Sequence, residues 1–365
     1  MEIKITKTVN PKQKPTDESQ LGFGKIFSDH MIIMEYEEGK GWFNPQIKAF
    51  DDISLSPAAM VLHYGQEIFE GMKAYRCKSS DGQDKLCLFR PTENFKRMNV
   101  SARRSVIPEV DVDVALEALC ELIKLDRDWV PQNKSGAGAA LYIRPFIIAV
   151  DPFLGVRPAQ RYYFMIITSP SGAYYSTGLN PVSIAVEENY VRAVRGGMGF
   201  AKAGGNYAAS LLGQKEAQAQ SYEQVMWLDG IERKYIEEVG AMNVFFVING
   251  EVVTPELSGS ILPGITRMSA MELCRKWGMT VTERKLSIDE VFDAFDSGAL
   301  SEVFGTGTAA VISPVGTLKR GDRVIKINDG KIGEISQKLY DTLTGIQFGR
   351  IPDDMGWTLT IDNQR

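Results

Sequence analysis

Hydrophobic and polar residues recur along this chain at two periods, near two residues for strands and near 3.6 for helices. Met31–Tyr36 and the apolar runs Leu141–Val150 and Tyr162–Ile167 read as strands. Met72–Arg76 and Leu86–Phe89 read as paired strands around the turn S-S-D-G-Q. Val112–Leu125 is amphipathic at helical spacing, and a second helix follows Pro91. Ser56-Pro57 has the form of a helix start, a cap residue followed by proline, for a helix carrying Leu62, His63, Tyr64 and Phe69. Residues 1–20 are polar and rich in Pro and Lys, a loose arm or a strand laid on another element.

In the second half, Val182–Val186, Val225–Leu228, Met242–Ile248, Glu251–Thr254, Val281–Lys285 and Val311–Pro314 read as short strands. Helices are predicted at Asn206–Gln220, Thr266–Trp277, near Ser287–Phe295 and near Glu334–Thr344. The loop-like zone S-P-S-G-A-Y-Y-S-T-G-L-N-P spans 169–181. Strands and helices mix without strict alternation, which predicts a mixed α/β (α+β) fold in two domains. The expected division is residues 1–175, a linker over 176–188, and 189–365.

At 365 residues the chain exceeds one ordinary core, consistent with two domains. A net charge of -5 supplies no general attraction to nucleic acid or an anionic membrane. No stretch approaches the ~20 apolar residues of a membrane span. The start lacks the apolar run of a signal peptide. Four cysteines without C-x-x-C spacing and only two histidines argue against a zinc site, and no metal is expected. Scattered thiols suit a reducing cytoplasm.

Chemistry concentrates in R-A-V-R-G-G-M-G-F-A-K-A-G-G-N-Y, residues 192–207, where Lys202 stands between two glycine clusters. A Walker loop fails because Ala203 follows the lysine, and a dinucleotide fingerprint fails because Lys202 stands where its third glycine would be. Two readings remain: a surface loop with an incidental lysine, or a lysine presented to a carbonyl cofactor as a Schiff-base nucleophile. Three further runs bear on the choice. E-E-V-G-A-M-N (237–243) offers a carboxylate to a pyridine nitrogen, or is a solvated acidic pair. L-P-G-I-T-R (262–267) opens a helix whose amides favour an anion, or is a simple cap. F-G-T-G-T-A-A (304–310) forms an anion-binding nest or a tight turn.

Together and in this order, these runs resemble the class IV (fold type IV) pyridoxal-phosphate enzymes. The N-terminal half is similar to the branched-chain amino acid aminotransferases, through L-G-F-G-K-I-F-S-D-H-M (21–31), H-Y-G-Q-E-I-F-E-G-M-K-A-Y (63–75), L-Y-I-R-P (141–145) and G-A-Y-Y (172–175). The resemblance covers about Leu21 to Gly349. It implies pyridoxal 5'-phosphate as cofactor, with Lys202 as the Schiff-base lysine and Glu238, rather than Glu237, at the pyridine nitrogen. Tyr207 would meet the phenolic oxygen. Arg97, the amides of Ile265 and Thr266, and Gly307-Thr308 would hold the phosphate. The amides of Thr308 and Ala309 would take the substrate carboxylate. Phe23, Tyr64, Phe69, Tyr142 and Tyr174 would wall an apolar pocket, with Arg144 receiving the distal carboxylate of glutamate. The implied reaction exchanges the amine of leucine, isoleucine or valine with 2-oxoglutarate, in a homodimer. Relatives of the same fold include D-amino acid aminotransferases, aminodeoxychorismate lyase and non-enzymatic binders. Where family members with a redox switch carry C-x-x-C, this chain has Ala310 and Ser313, which implies no such switch.

Overall fold

A computed structural model describes residues 1–78, 84–134, 136, 138–172 and 179–361. The elements of the first half are β1 (Lys4–Ile5), β2 (His30–Glu37), β3 (Gly41–Ala49), α1 (Val61–Tyr64), β4 (Glu67–Phe69), β5 (Met72–Lys78), β6 (Asp84–Phe89), α2 (Pro91–Ser105), α3 (Val112–Leu125), β7 (Ala140–Ala149) and β8 (Arg161–Ser171). There follow β9 (Val182–Val186), α4 (Gly204–Ala219), β10 (Gln224–Leu228), β11 (Ile236–Val239), β12 (Asn243–Ile248), β13 (Glu251–Pro255), α5 (Ile265–Lys276) and β14 (Val281–Arg284). The chain closes with α6 (Ile288–Asp296), β15 (Leu300–Gly307), β16 (Val311–Arg320), β17 (Arg323–Lys326), α7 (Glu334–Gln347) and β18 (Thr358–Ile361).

Two compact units result. The first comprises Met1–Tyr174, Ala201–Gly204 and Thr344–Arg365; the second comprises Tyr175–Phe200 and Gly205–Leu343. Each contains a nine-stranded sheet among the described residues. The first runs β1-β3-β2-β8-β7-β5-β6-β18 with β4 on β7, and the second β11-β10-β9-β16-β15-β12-β13-β14 with β17 on β16. The division departs from the sequence expectation in two places. The last 22 residues, Thr344–Arg365, belong to the first unit because β18 pairs antiparallel with β6, Leu359 opposite Leu88. The four residues around Lys202 also belong to the first unit.

Local chemistry accounts for the element bounds. Asp111 caps α3 by accepting from Asp113 N and Val114 N, and Ala115, Ala118, Leu119, Leu122 and Ile123 form its buried stripe. Pro91 at the start of α2 has no amide to leave unpaired. In the second unit, Phe246, Val253, Val291, Phe292 and Leu318 are among the side chains of one core cluster.

Several expectations require correction. The helix expected from Ser56-Pro57 does not continue to Phe69. The Ser56 hydroxyl instead accepts from Ala58 N in a turn, and one helical turn, Val61–Tyr64, ends at Gly65, whose φ is +58°. Phe69 lies in β4, opposite Phe146 of β7. The stretch F-G-T-G is strand, the end of β15, and the turn begins at Thr308. β8 extends through Ser169 to Ser171, into the zone read as loop. β3 has no counterpart in the sequence reading, because Asn44 at φ +55° and Pro45 break its pattern. Lys4–Ile5 of the N-terminal arm pairs parallel with β3. The turn S-S-D-G-Q, Tyr174 and part of the expected 176–188 linker lie outside the described residues.

Candidate active site

The chain from Lys202 to Gly204 is held at three main-chain points. Its amide donates to Ser101 Oγ at 2.8 Å, its carbonyl accepts from Phe69 N at 2.9 Å, and Gly204 N donates to Glu67 Oε1 at 2.5 Å. A Cβ on Gly204 would stand 1.9 Å from that Glu67 oxygen, so a larger residue there would push the carboxylate off the Gly204 amide. None of Glu67, Glu70 or Ser101 was singled out from the sequence, which gives no local sign that they meet a lysine more than 100 positions away.

The side chain of Lys202 lies in a charged and aromatic setting within the first unit. Its Nζ sits 4.7 Å from the centre of the Phe69 ring. Burial pushes its pKa down to about 8; Arg97 and Arg144 add to the effect, while Glu70 and Tyr142 oppose it. Glu70 is fully buried and grips Arg97 through two hydrogen bonds of 2.8 Å, with Asn94 Nδ2 also at 2.8 Å. Burial alone would raise the Glu70 pKa, but the Arg97 charge and hydrogen bonds, with Lys202 and Asn94, hold it below the ordinary value. Burial raises the Glu67 pKa despite the Gly204 amide and Arg144.

Of the expected wall residues, Phe69 and Tyr142 lie near the same lysine. Phe23 meets Tyr142 edge-on at 4.8 Å, and the Arg144 guanidinium lies 4.7 Å from the Phe69 centroid and 5.4 Å from that of Tyr142. Arg144 also donates to the Tyr142 hydroxyl at 3.1 Å, while its buried Nε has no hydrogen-bond partner. Tyr64 stands apart. It is 41% exposed and its hydroxyl donates to Leu154 O, so the structure does not bring it to the wall.

In the second unit Glu238, 3% exposed, pairs with Arg192. It also accepts from Asn243 Nδ2 and Leu262 N, both at 3.3 Å. Asn243 is the hub of this arrangement. It donates to Leu262 O at 2.9 Å, it pairs with Thr306 across β12 and β15, and its Oδ1 leaves no room for a Cβ on Gly264. It thereby joins three runs separated in sequence: E-V-G-A-M-N, L-P-G-I-T and G-T-G-T. Gly264 precedes α5 without a side-chain cap, and Ile265 and Thr266 form the start of that helix, a position whose amides and dipole favour an anion. Gly307 pairs with Val311 at the close of β15, and Thr308-Ala309-Ala310 turn into β16. Val311 follows with φ +64°, a strained conformation for a β-branched residue. Thr306 Oγ1 is buried without a partner. Tyr207 lies in the first turn of α4, partly buried. Arg192 and Asn243 are functional candidates that sequence reasoning missed, although both lie in runs it marked.

Among the described residues no cluster of His, Cys, Asp or Glu could hold a metal ion. Each unit's donors suit a phosphorylated pyridine aldehyde: in the first an amine with depressed pKa, in the second an enclosed carboxylate and an uncapped helix start.

Comparison with known proteins agrees. Residues 67–318 match the family model of amino-transferase class IV. The chain is 54% identical over 360 residues to branched-chain-amino-acid transaminase 1 of Bacillus subtilis (strain 168), covering 98% of this chain and 99% of the relative. It is 55% identical over 360 residues to a probable branched-chain-amino-acid aminotransferase of Staphylococcus aureus (strain N315), covering 98% of each. A crystal structure of the branched-chain amino acid aminotransferase of Escherichia coli superposes with a TM-score of 0.73 at 28% identity, covering 90% of this chain and 99% of that one. A branched-chain amino acid aminotransferase from T.th., solved with pyridoxamine 5'-phosphate, also gives 0.73, at 26% identity, covering 90% and 98%. The fold, the mounted lysine and these matches together place the chain in the class IV aminotransferase family.

Proposed function

We propose that this protein exchanges the amino group of leucine, isoleucine or valine with 2-oxoglutarate, using pyridoxal 5'-phosphate. Bound there, the cofactor supplies a carbonyl carbon for an amine and a ring that draws electrons from the substrate Cα. Lys202 would be the attachment point for the cofactor, and its amine, when free, would be the group that takes and returns a proton. A pKa of about 8 leaves a useful fraction of neutral amine near pH 7. Glu238, contacted by Arg192 and Asn243, would pair with the pyridine nitrogen, and Tyr207 would meet the phenolic oxygen. Arg97, steadied by Glu70, would bind phosphate, and the resemblance gives the same role to Ile265, Thr266, Gly307 and Thr308. The Thr308 and Ala309 amides take the substrate carboxylate.

Phe23, Phe69 and Tyr142 suit a branched apolar side chain. Arg144, with its unpaired buried Nε, suits the second carboxylate of glutamate. The T.th. enzyme has also been solved with N-(5'-phosphopyridoxyl)-L-glutamate, which supports both cofactor and co-substrate here. The observation that carries the reading is the main-chain mounting of Lys202 beside Arg97, Arg144 and the aromatic wall. Among the described residues no helix is long and apolar enough to cross a membrane. All four cysteines are free, which supports a cytoplasmic location. Leu62, Tyr64, Phe153, Leu154 and Val156 are exposed apolar side chains, and this supports a homodimer.

A half-reaction tests the function. Leucine without an oxo acid should bleach the yellow holoenzyme, expected near 410–420 nm (about that range for a protonated pyridoxal imine), and release one 2-oxo acid per site. Bleaching by D-alanine but not by L-leucine, or pyruvate release from aminodeoxychorismate, would overturn it.

A further inference from the structure

β11 carries two adjacent glutamates whose side chains leave opposite faces of the strand. Glu238 pairs with Arg192. Glu237, 7% exposed, accepts a hydrogen bond from Ser260 Oγ. Ser260 is fully enclosed, with its hydroxyl 2.9 Å from that of Ser258. Its carbonyl accepts from Arg192 at 3.3 Å, through the same guanidinium nitrogen that reaches Glu238. Gly199 closes over this carbonyl, where a Cβ would stand 2.0 Å from the oxygen. A continuous path therefore runs from Glu237 through Ser260 and Arg192 to Glu238.

Solvent meets this path at Glu237. A pocket opens there, and both Glu237 and Ser260 line it. Arg195, Lys285, Glu232, Glu256, Asp229 and Tyr235 also line it. Burial raises the Glu237 pKa, with repulsion from Glu238 and Asp229 adding to it; the Ser260 hydrogen bond and Arg192 offset part of the rise.

We propose that Glu237 is a positioning residue for Glu238: through Ser260 it holds Arg192 in place, and its charge, exchanged with solvent through this pocket, strengthens the negative field presented to the pyridine nitrogen. The inference rests on the assignment of Glu238 to that nitrogen. Glu237 is ionised above its raised pKa and neutral below it, so the hold on the cofactor weakens as pH falls through that value. The cofactor phosphate, with a second pKa of about 6, titrates in every variant alike and cancels in comparison with the wild type.

The test is the cofactor dissociation constant, measured by equilibrium dialysis across about pH 5.5–9, for wild type, Glu237→Gln and Ser260→Ala. Glutamine keeps an acceptor for Ser260 and removes the charge. Affinity at pH 8 should fall roughly three- to tenfold, and the part of the pH dependence due to Glu237 should vanish. Ser260→Ala removes a bond that favours the ionised carboxylate, so its midpoint should move to higher pH. This second variant decides the matter if the first does not fold. Variants that keep the wild-type affinity and midpoint overturn the inference alone. A wild type that binds no cofactor overturns the functional reading and the inference with it.

Discussion

Replacing Lys202 by methionine should stabilise the apo-protein near pH 7 while abolishing cofactor attachment. Burial, Arg97 and Arg144 hold this ammonium at about 8 against an ordinary 10.5, despite Glu70 and Tyr142. At ~1.4 kcal/mol for each tenfold change in proton affinity, the protonated lysine disfavours the folded state by about 3 kcal/mol. The sign follows from which state holds the proton more tightly, and here it is the unfolded chain. Below pH 8 the amine is protonated in both states and the whole penalty applies. Between pH 8 and 10.5 the folded amine is already neutral, so the penalty shrinks as pH rises. Methionine fills the lysine stem without a charge. The gap in unfolding free energy should be about 3 kcal/mol at pH 7 and about half of that at pH 9.5. Urea denaturation of both apo-proteins at pH 7, 8.5 and 9.5 measures it. A variant no more stable than wild type at pH 7, or a gap that does not narrow with pH, would refute the electrostatic picture of the site.

Other substitutions probe neighbouring parts. Glu70→Gln leaves the buried Arg97 without its carboxylate and should cost about 3–5 kcal/mol of stability, read by denaturant unfolding, with weaker cofactor binding. Gly204→Ala should displace the Glu67 carboxylate from the Gly204 amide and impair loading, whereas Gly205→Ala meets nothing within 4 Å and should be tolerated. Comparing the two by cofactor content isolates the contact from general helix effects. Arg144→Ala should slow the 2-oxoglutarate half-reaction more than the leucine half-reaction, and equal losses would remove its role.

The sequence made the regular elements legible where one local pattern dominates. α3 is observed over the same residues its apolar spacing suggests, Val112–Leu125. β9 likewise matches as Val182–Val186. Failures came where tertiary contacts decide. The one-turn α1 gives way to β4 because pairing with β7 outweighs the helix start at Ser56. β18 offers little apolar pattern of its own and depends on β6. For the site, motif resemblance nominated Lys202, Arg97, Glu238 and Arg144 by number. It was silent on Glu70, Ser101, Arg192 and Asn243, which touch Arg97, Lys202 and Glu238 through contacts that no linear spacing encodes. It also grouped Tyr64 with the aromatic wall, while its hydroxyl in fact bonds Leu154.

The central claim is that Lys202 carries the cofactor. The structure also supplies a rival within the same unit: Lys73 is buried, and burial lowers its pKa to about 8 as well. Borohydride reduction of the holoenzyme, followed by peptide mass spectrometry, tests the claim directly. The account predicts the phosphopyridoxyl mass on Lys202 alone. Its appearance on Lys73, or on no single lysine, would contradict it.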